Sequence, residues 1–238
     1  MKYIYITMVQ LPTIINKFVT FMTKFEYTHF SISFDEDLER LYSFQVKNDK
    51  IPFVGGLVEE TQGLYFHGKE NICLKEMVFK VPISINEYTQ IYNFVEKVKN
   101  DKEYTFNYVS ALVMFILGGV KAYKSYHCVE FICVLLAFIK EIEIPKETYK
   151  MHPKDLYEVL QPFEYLKRNI HSQDFETEEN IFLKRIKLSS GVRKSIYSIR
   201  ESICRTVFHR TTKRFNYKMI NYDEEDVKKN YKVKTPGW

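Results

Sequence analysis

Cys128 and His29 are the two residues whose types and surroundings suit nucleophilic catalysis. Cys128 opens a run of apolar residues, CVEFICVLLAFI, that reads as a helix. A helix N-terminus gathers free backbone N–H groups and the positive end of the aligned peptide dipoles, which favours a thiolate over a thiol of ordinary pKa, about 8.5. His29 lies in an alternating stretch, with Phe30, Ile32 and Phe34 on one face and His29, Ser31 and Ser33 on the other. Such a strand holds an imidazole rigidly, and a histidine beside a cysteine can take the thiol proton during attack and return it to the leaving group. A third polar residue is needed to orient the imidazole. The returning strand, residues 41–46, carries Ser43 and Gln45 on one face, and either could do so. The chemistry this set would support is acyl transfer through a thioester.

The other histidines and cysteines read more plainly. Cys133, inside the same apolar run, reads as a small core residue. His127 is rotated about 100° from Cys128 on a helix and is expected at the surface or behind the site. His67, Cys73, His152, His171, Cys204 and His209 have no partner visible in the sequence. The four cysteines form no CxxC pair, so neither a disulfide frame nor a metal cage is expected, and no cofactor is implied. A reducing compartment, the cytoplasm, fits this cysteine usage.

These residues need elements to position them. With 238 residues, 45% hydrophobic and 16% aromatic, the chain can bury a substantial core, which excludes disorder as its general state. Only 8 glycines and 7 prolines are present and no repeat recurs, which excludes collagen-like and solenoid architectures. Residues 3–9 read as a buried strand and residues 11–22 as an amphipathic helix. Residues 28–34 and 41–46 form a hairpin around Asp35, Glu36 and Asp37. Gly55, Gly56 and Gly63 mark a loop, so 49–63 and 118–126 are expected to be loops lining a cleft, and 64–66 and 76–82 further strands. Ser84 with Glu87 matches a capping box for a helix over 84–98. Further helices are expected over 106–117, 128–139 and from His152 onward. The longest apolar run, 109–120, is shorter than the roughly 20 residues a bilayer-crossing helix needs, and the N-terminus does not resemble a signal peptide. The expected class is therefore α+β, an antiparallel sheet packed on helices, with a domain over 1–168, an acidic linker over 169–183 and a basic arm over 184–238.

The arm concentrates charge. Between Lys184 and Lys218 eleven cations face a single anion, Glu201, which leaves the rest of the chain acidic although the net charge is +5. From Val192 the apolar residues Val192, Ile196, Ile199, Ile203 and Val207 recur at helical spacing. Such a helix can pack its stripe on the body, or it can attach to an anionic membrane surface through Arg193, Lys194, Arg200 and Arg205. Nucleic acid is a further polyanionic partner it could take.

The stretches Tyr27-Thr28-His29-Phe30-Ser31-Ile32-Ser33-Phe34 and Tyr126-His127-Cys128-Val129-Glu130-Phe131-Ile132 resemble the two halves of NlpC-type papain-like cysteine peptidases. The order, histidine before cysteine, is similar to the circularly permuted branch that contains YiiX-like proteins, poxviral relatives and relatives of lecithin:retinol acyltransferase. The strand-helix-strand opening, Tyr42-Ser43-Phe44, Phe106-Asn107-Tyr108 and His152-Pro153-Lys154-Asp155-Leu156 fit the same pattern, over residues 1–165. The resemblance implies a permuted papain-like fold with Cys128 as nucleophile, His29 as base and a polar residue of the next strand as orienter. It implies a hydrolase or acyltransferase acting on a peptide, amide or acyl-lipid substrate, with the backbone N–H of Cys128 in the oxyanion hole. The reading of a different class is a non-catalytic papain-like module that binds through its cleft or basic arm.

Overall fold

The structure, a computed structural model, describes residues 1–11, 20–21, 23–46, 54–66, 71–175, 188–212 and 215. Its centre is a six-stranded antiparallel sheet made by β1 (Lys2–Val9), β2 (His29–Ser33), β3 (Leu41–Val46), β4 (Gly55–Glu60), β5 (Cys73–Ile83) and β8 (Glu164–His171), in the order β4-β3-β2-β1-β5-β8. β1 sits between β2 and β5, with Val9 opposite both His29 and Glu76. Its residues alternate between two cores. Ile4, Ile6 and Met8 join Phe30, Ile32, Phe79 and the helices on one face, while Tyr5 and Val9 join Leu41, Tyr65 and Ile170 on the other. Burial on both faces explains why β1 reads as nearly continuous apolar sequence.

The helices follow. α1 (Ile85–Asn100) is fixed at its start by the capping box: the Glu87 N–H donates to Ser84 Oγ and the Ser84 N–H to Glu87 Oε2, at 3.2 and 2.8 Å. Such a cap stabilises a helix by about 1 kcal/mol. Its buried residues Ile91, Val95 and Val98 face β1 and β4. α2 (Tyr108–Leu117) comes next, after β6 (Thr105–Phe106), which pairs in parallel with β7 (Ser125–Tyr126). α3 (Cys128–Leu136) packs across β2 and β3, and α4 (Pro153–Leu160) closes that layer with Leu156 and Leu160 buried. The chain is therefore α+β, with the hairpin, the capped helix and the order of later helices as the sequence predicts. No helix among the described residues is long and apolar enough to cross a membrane.

Three expectations are corrected. Residues 55–60 form strand β4 rather than a loop, because Gly55 answers a packing demand and not a turn. A Cβ on Gly55 would fall 2.5 Å from Tyr108 Oη and 2.6 Å from the Gln45 carbonyl. Residues 64–66 lie in a 3-10 turn, Gln62–Phe66, not in a strand. β8 runs through the expected boundary at residue 168; it is an edge strand with only Ile170 buried, so its sequence lacks apolar alternation. Most of the helix expected over 11–22, most of the acidic linker and the C-terminal tail lie outside the described residues.

The arm forms α5 (Leu188–Val207), and its orientation reverses one expectation. Ser198, Glu201, Ser202 and Arg205 are buried, whereas Val192, Ile196, Ile199, Ile203 and Val207 are exposed. Arg205 was among the cations expected at a membrane surface; it is fully buried instead. Its Nε donates to Glu201 Oε1 at 2.9 Å and its Nη1 to the carbonyls of Tyr123 and Lys124 at 3.1 and 3.0 Å. Those three acceptors offset part of the desolvation of the guanidinium, whose Nη2 has no hydrogen-bond partner among the described residues, and they hold a cation rather than an isoleucine on the inward face.

Candidate active site

His29 is the first residue of β2 and is 5% exposed. Its Nε2 lies 2.7 Å from Glu60 Oε1, at the end of β4. A carboxylate only accepts, so Nε2 carries the proton and Nδ1 holds the free lone pair. The other Glu60 oxygen, Oε2, accepts a bond from Gln45 Nε2. Glu60 is 2% exposed, and these two donors compensate its burial. The orienting group on His29 is thus Glu60, which the sequence reading missed. Gln45 acts one step away, on Glu60. Ser43 is buried, and its hydroxyl has no hydrogen-bond partner among the described residues.

Tyr65 completes the surroundings of the imidazole. Its ring meets His29 edge-on with centroids 5.2 Å apart, and its Oη lies 3.1 Å from Ser31 Oγ, which is 2.7 Å from Thr7 Oγ1. The turn that carries Tyr65 is tied down by a second buried carboxylate, Glu76. Glu76 Oε1 accepts from Gln62 Nε2 at 2.5 Å and Oε2 from Arg168 Nε at 2.7 Å. A chain of contacts therefore links edge strand β8 to the ring of His29.

Cys128 is the first residue of α3, as its sequence predicts, and remains partly exposed. α3 packs against β2, the strand of His29, through the face that carries Phe30 and Ile32, whereas His29 itself shares the other face with Val9 and Tyr65. The N–H groups of Val129 and of Cys128 itself favour the thiolate, but burial outweighs them and pushes the thiol up to about 12. The expected lowering by the helix N-terminus is present and is overridden by desolvation. Cys133 is buried in the core, as expected.

His127 is neither at the surface nor idle. It is 3% exposed and caps α3, with Nδ1 accepting the Glu130 N–H at 3.3 Å. Burial lowers its pKa to about 4, so it is neutral at physiological pH. Glu130, 2% exposed, has its pKa raised by burial to about 8 and its carboxyl beside Asn107. Asn107 binds the N–H of Ser110 and the carbonyl of Val120, and Ser110 Oγ accepts the Val120 N–H. These bonds hold the segment that leads into Cys128. The segment passes so close to the Tyr149 carbonyl that a Cβ on Gly119, which has φ +87°, would lie 2.0 Å from that oxygen.

His152 caps α4 through its backbone N–H to Asp155, and His171 Nε2 lies 4.0 Å from Cys73 Sγ at the exposed sheet edge. Cys204 is half-buried on α5, His209 is exposed, and His67 lies outside the described residues. Among the described residues no three His, Cys, Asp or Glu side chains are grouped so as to hold a metal ion. No family model, no curated protein and no solved structure matches the chain.

Proposed function

We propose that this protein is a cysteine hydrolase or acyltransferase of permuted papain-like architecture, with Cys128 as nucleophile, His29 as base, Glu60 as the group that orients His29, and Gln45 as the support of Glu60. The observation that carries the reading is the buried His29–Glu60 hydrogen bond on the strand against which the Cys128 helix packs. An imidazole bound to a buried carboxylate is held in one tautomer and one orientation. In this mechanism His29 Nδ1 takes the proton of Cys128 as the sulfur attacks an amide or ester carbonyl. The imidazolium then protonates the leaving amine or alcohol, leaving a thioester. Water or an acyl acceptor, deprotonated by the same Nδ1, attacks the thioester and restores the thiol. Because burial keeps Cys128 a thiol, proton removal accompanies attack instead of preceding it.

The test is incubation with an activated ester, p-nitrophenyl acetate, followed by intact-mass analysis. The expected result is an acetyl group on Cys128 that turns over, absent in Cys128→Ala and much slower to form in His29→Ala, with both variants folded. Acetylation unchanged by both substitutions would sink the reading. The raised Cys128 pKa also favours a second reading, a binding module with an inert thiol; it predicts no adduct on Cys128 in the wild-type protein at all.

A further inference from the structure

Amphipathic helices of folded proteins bury their apolar stripe, because that burial drives their docking. α5 does the reverse. Val192, Ile196, Ile199, Ile203 and Val207 are between 40% and 63% exposed, and Phe208, just past the helix, is 61% exposed. The helix is attached through its polar face: Arg205 clamps the Tyr123 and Lys124 carbonyls, and the Tyr123 N–H returns a bond to the Arg205 carbonyl at 3.1 Å. Glu201 is held in the same contact, by Arg205 and by the Thr212 N–H. The outward face is therefore a fixed product of the polar contact, not a loosely docked helix.

Charge is distributed to match. Arg193 and Arg200, both exposed, fall along one border of the stripe, about 60–80° round the helix from its centre. Arg210, also exposed, follows Phe208 and lies over its ring, 5.8 Å from the centroid. The only carboxylate between residues 188 and 212, Glu201, is buried and paired. Among the described residues of α5 and the turn after it, this face offers apolar surface and positive charge with no negative charge.

We propose that the outward face of α5 docks this protein in the headgroup plane of an anionic lipid bilayer. The arrangement selects that occupant. Apolar side chains hold the centre and arginines the border, so the stripe can enter the acyl boundary while the guanidinium groups stay level with lipid phosphates. A nucleic acid would want the cations central and has no use for a row of isoleucines. A second copy would set the arginine rows of two chains together with no acid among the described residues of this face to pair them. The clamp by Arg205 lies on the turn that continues through Ser125 and Tyr126 into Cys128, so docking would bring the bilayer to the segment that carries the candidate nucleophile. The inference does not depend on catalysis by Cys128.

The experiment is flotation of the full chain with vesicles of phosphatidylcholine alone and of phosphatidylcholine mixed with phosphatidylserine, at low and high salt. The wild-type protein is expected to float with the mixed vesicles, not with phosphatidylcholine alone, and to be released by salt. Ile199→Glu with Ile203→Glu should abolish flotation, and Arg193→Gln with Arg200→Gln should weaken partitioning about fivefold per cation. All four residues are exposed, so circular dichroism should be unchanged, and Cys128→Ala should float like wild type. The proposal is overturned if wild type stays unbound or if neither pair of substitutions changes flotation. It is also overturned if the stripe serves another partner. A dimer in lipid-free solution that Ile199→Glu with Ile203→Glu dissociates would assign it to a second copy. Binding to nucleic acid that fails with the arginine pair but survives the isoleucine pair would assign the face there.

Discussion

His29 Nε2 stands 2.7 Å from Glu60 Oε1, two buried side chains joined across 31 positions of sequence. The bond leaves His29 Nδ1 as the single nitrogen able to take a proton, and it gives the imidazolium a carboxylate partner in a site with little water. Glu60→Gln keeps the shape and removes the charge. It should slow acetylation of Cys128 roughly 10²- to 10⁴-fold while the fold persists. Gln45→Ala, which strips a donor from Glu60 and leaves His29 bonded, should slow it less than Glu60→Gln. Equal rates for Glu60→Gln and wild type would remove Glu60 from the mechanism.

The Cys128 thiol is raised to about 12, so only a small fraction is thiolate near neutrality. Alkylation by iodoacetamide, in which the thiolate displaces iodide from a methylene carbon and no leaving group needs a proton from His29, should climb about tenfold per pH unit beyond pH 9 without a plateau. His29→Ala should leave that slope in place although it cripples acetylation. A plateau at or below the free cysteine value, lost in His29→Ala, would instead indicate a preformed thiolate–imidazolium pair.

His127 and Glu130 make opposite contributions to stability as pH changes. His127 is lowered from 6.5 to about 4, so the unfolded chain binds the extra proton and stability falls as pH drops from about 6.5 through 4. Glu130 is raised from 4.5 to about 8, so the folded chain holds the proton and stability falls as pH rises from about 4.5 through 8. Glu130→Gln should abolish the alkaline loss, so that the variant gains on the wild-type protein as pH rises from about 4.5 through 8. His127→Asn keeps a side-chain cap for α3 and should abolish the acid loss. Urea unfolding at several pH values measures both.

Glu76 is fully buried and depends on Arg168 and Gln62. Arg168→Ala would leave a buried carboxylate with one donor, at a cost on the order of 3 kcal/mol. Adding Glu76→Gln should recover part of that loss, since the amide needs no cation. Urea midpoints of the two single variants and the double variant give the coupling; additive effects would mean that Arg168 does not serve Glu76.

The elements that local physics dictates were legible in the sequence. The capping box at Ser84 and Glu87, the alternation around His29 and the apolar run opened by Cys128 each depend on residues a few positions apart, and each appears where its pattern predicts. Glu60 was hidden. Its neighbours Gly55 and Gly56 signal a loop, and nothing local distinguishes a buried carboxylate from the exposed Glu59 beside it, which bonds Lys99. A glycine in a strand can mark close approach by another element, and that was the one signal from which β4 could have been recovered. The face of α5 that turns inward was equally hidden, since periodicity reports that a helix has two faces and says nothing of which one finds partners. The capped helix, the hairpin strand of His29, the helix opened by Cys128 and the candidate nucleophile–base pair of residue types came from the chain's own spacing. The third residue of the site and the outward stripe were decided by tertiary contacts, because a charge can be buried only where distant donors, Gln45 for Glu60 and two carbonyls for Arg205, are brought to meet it.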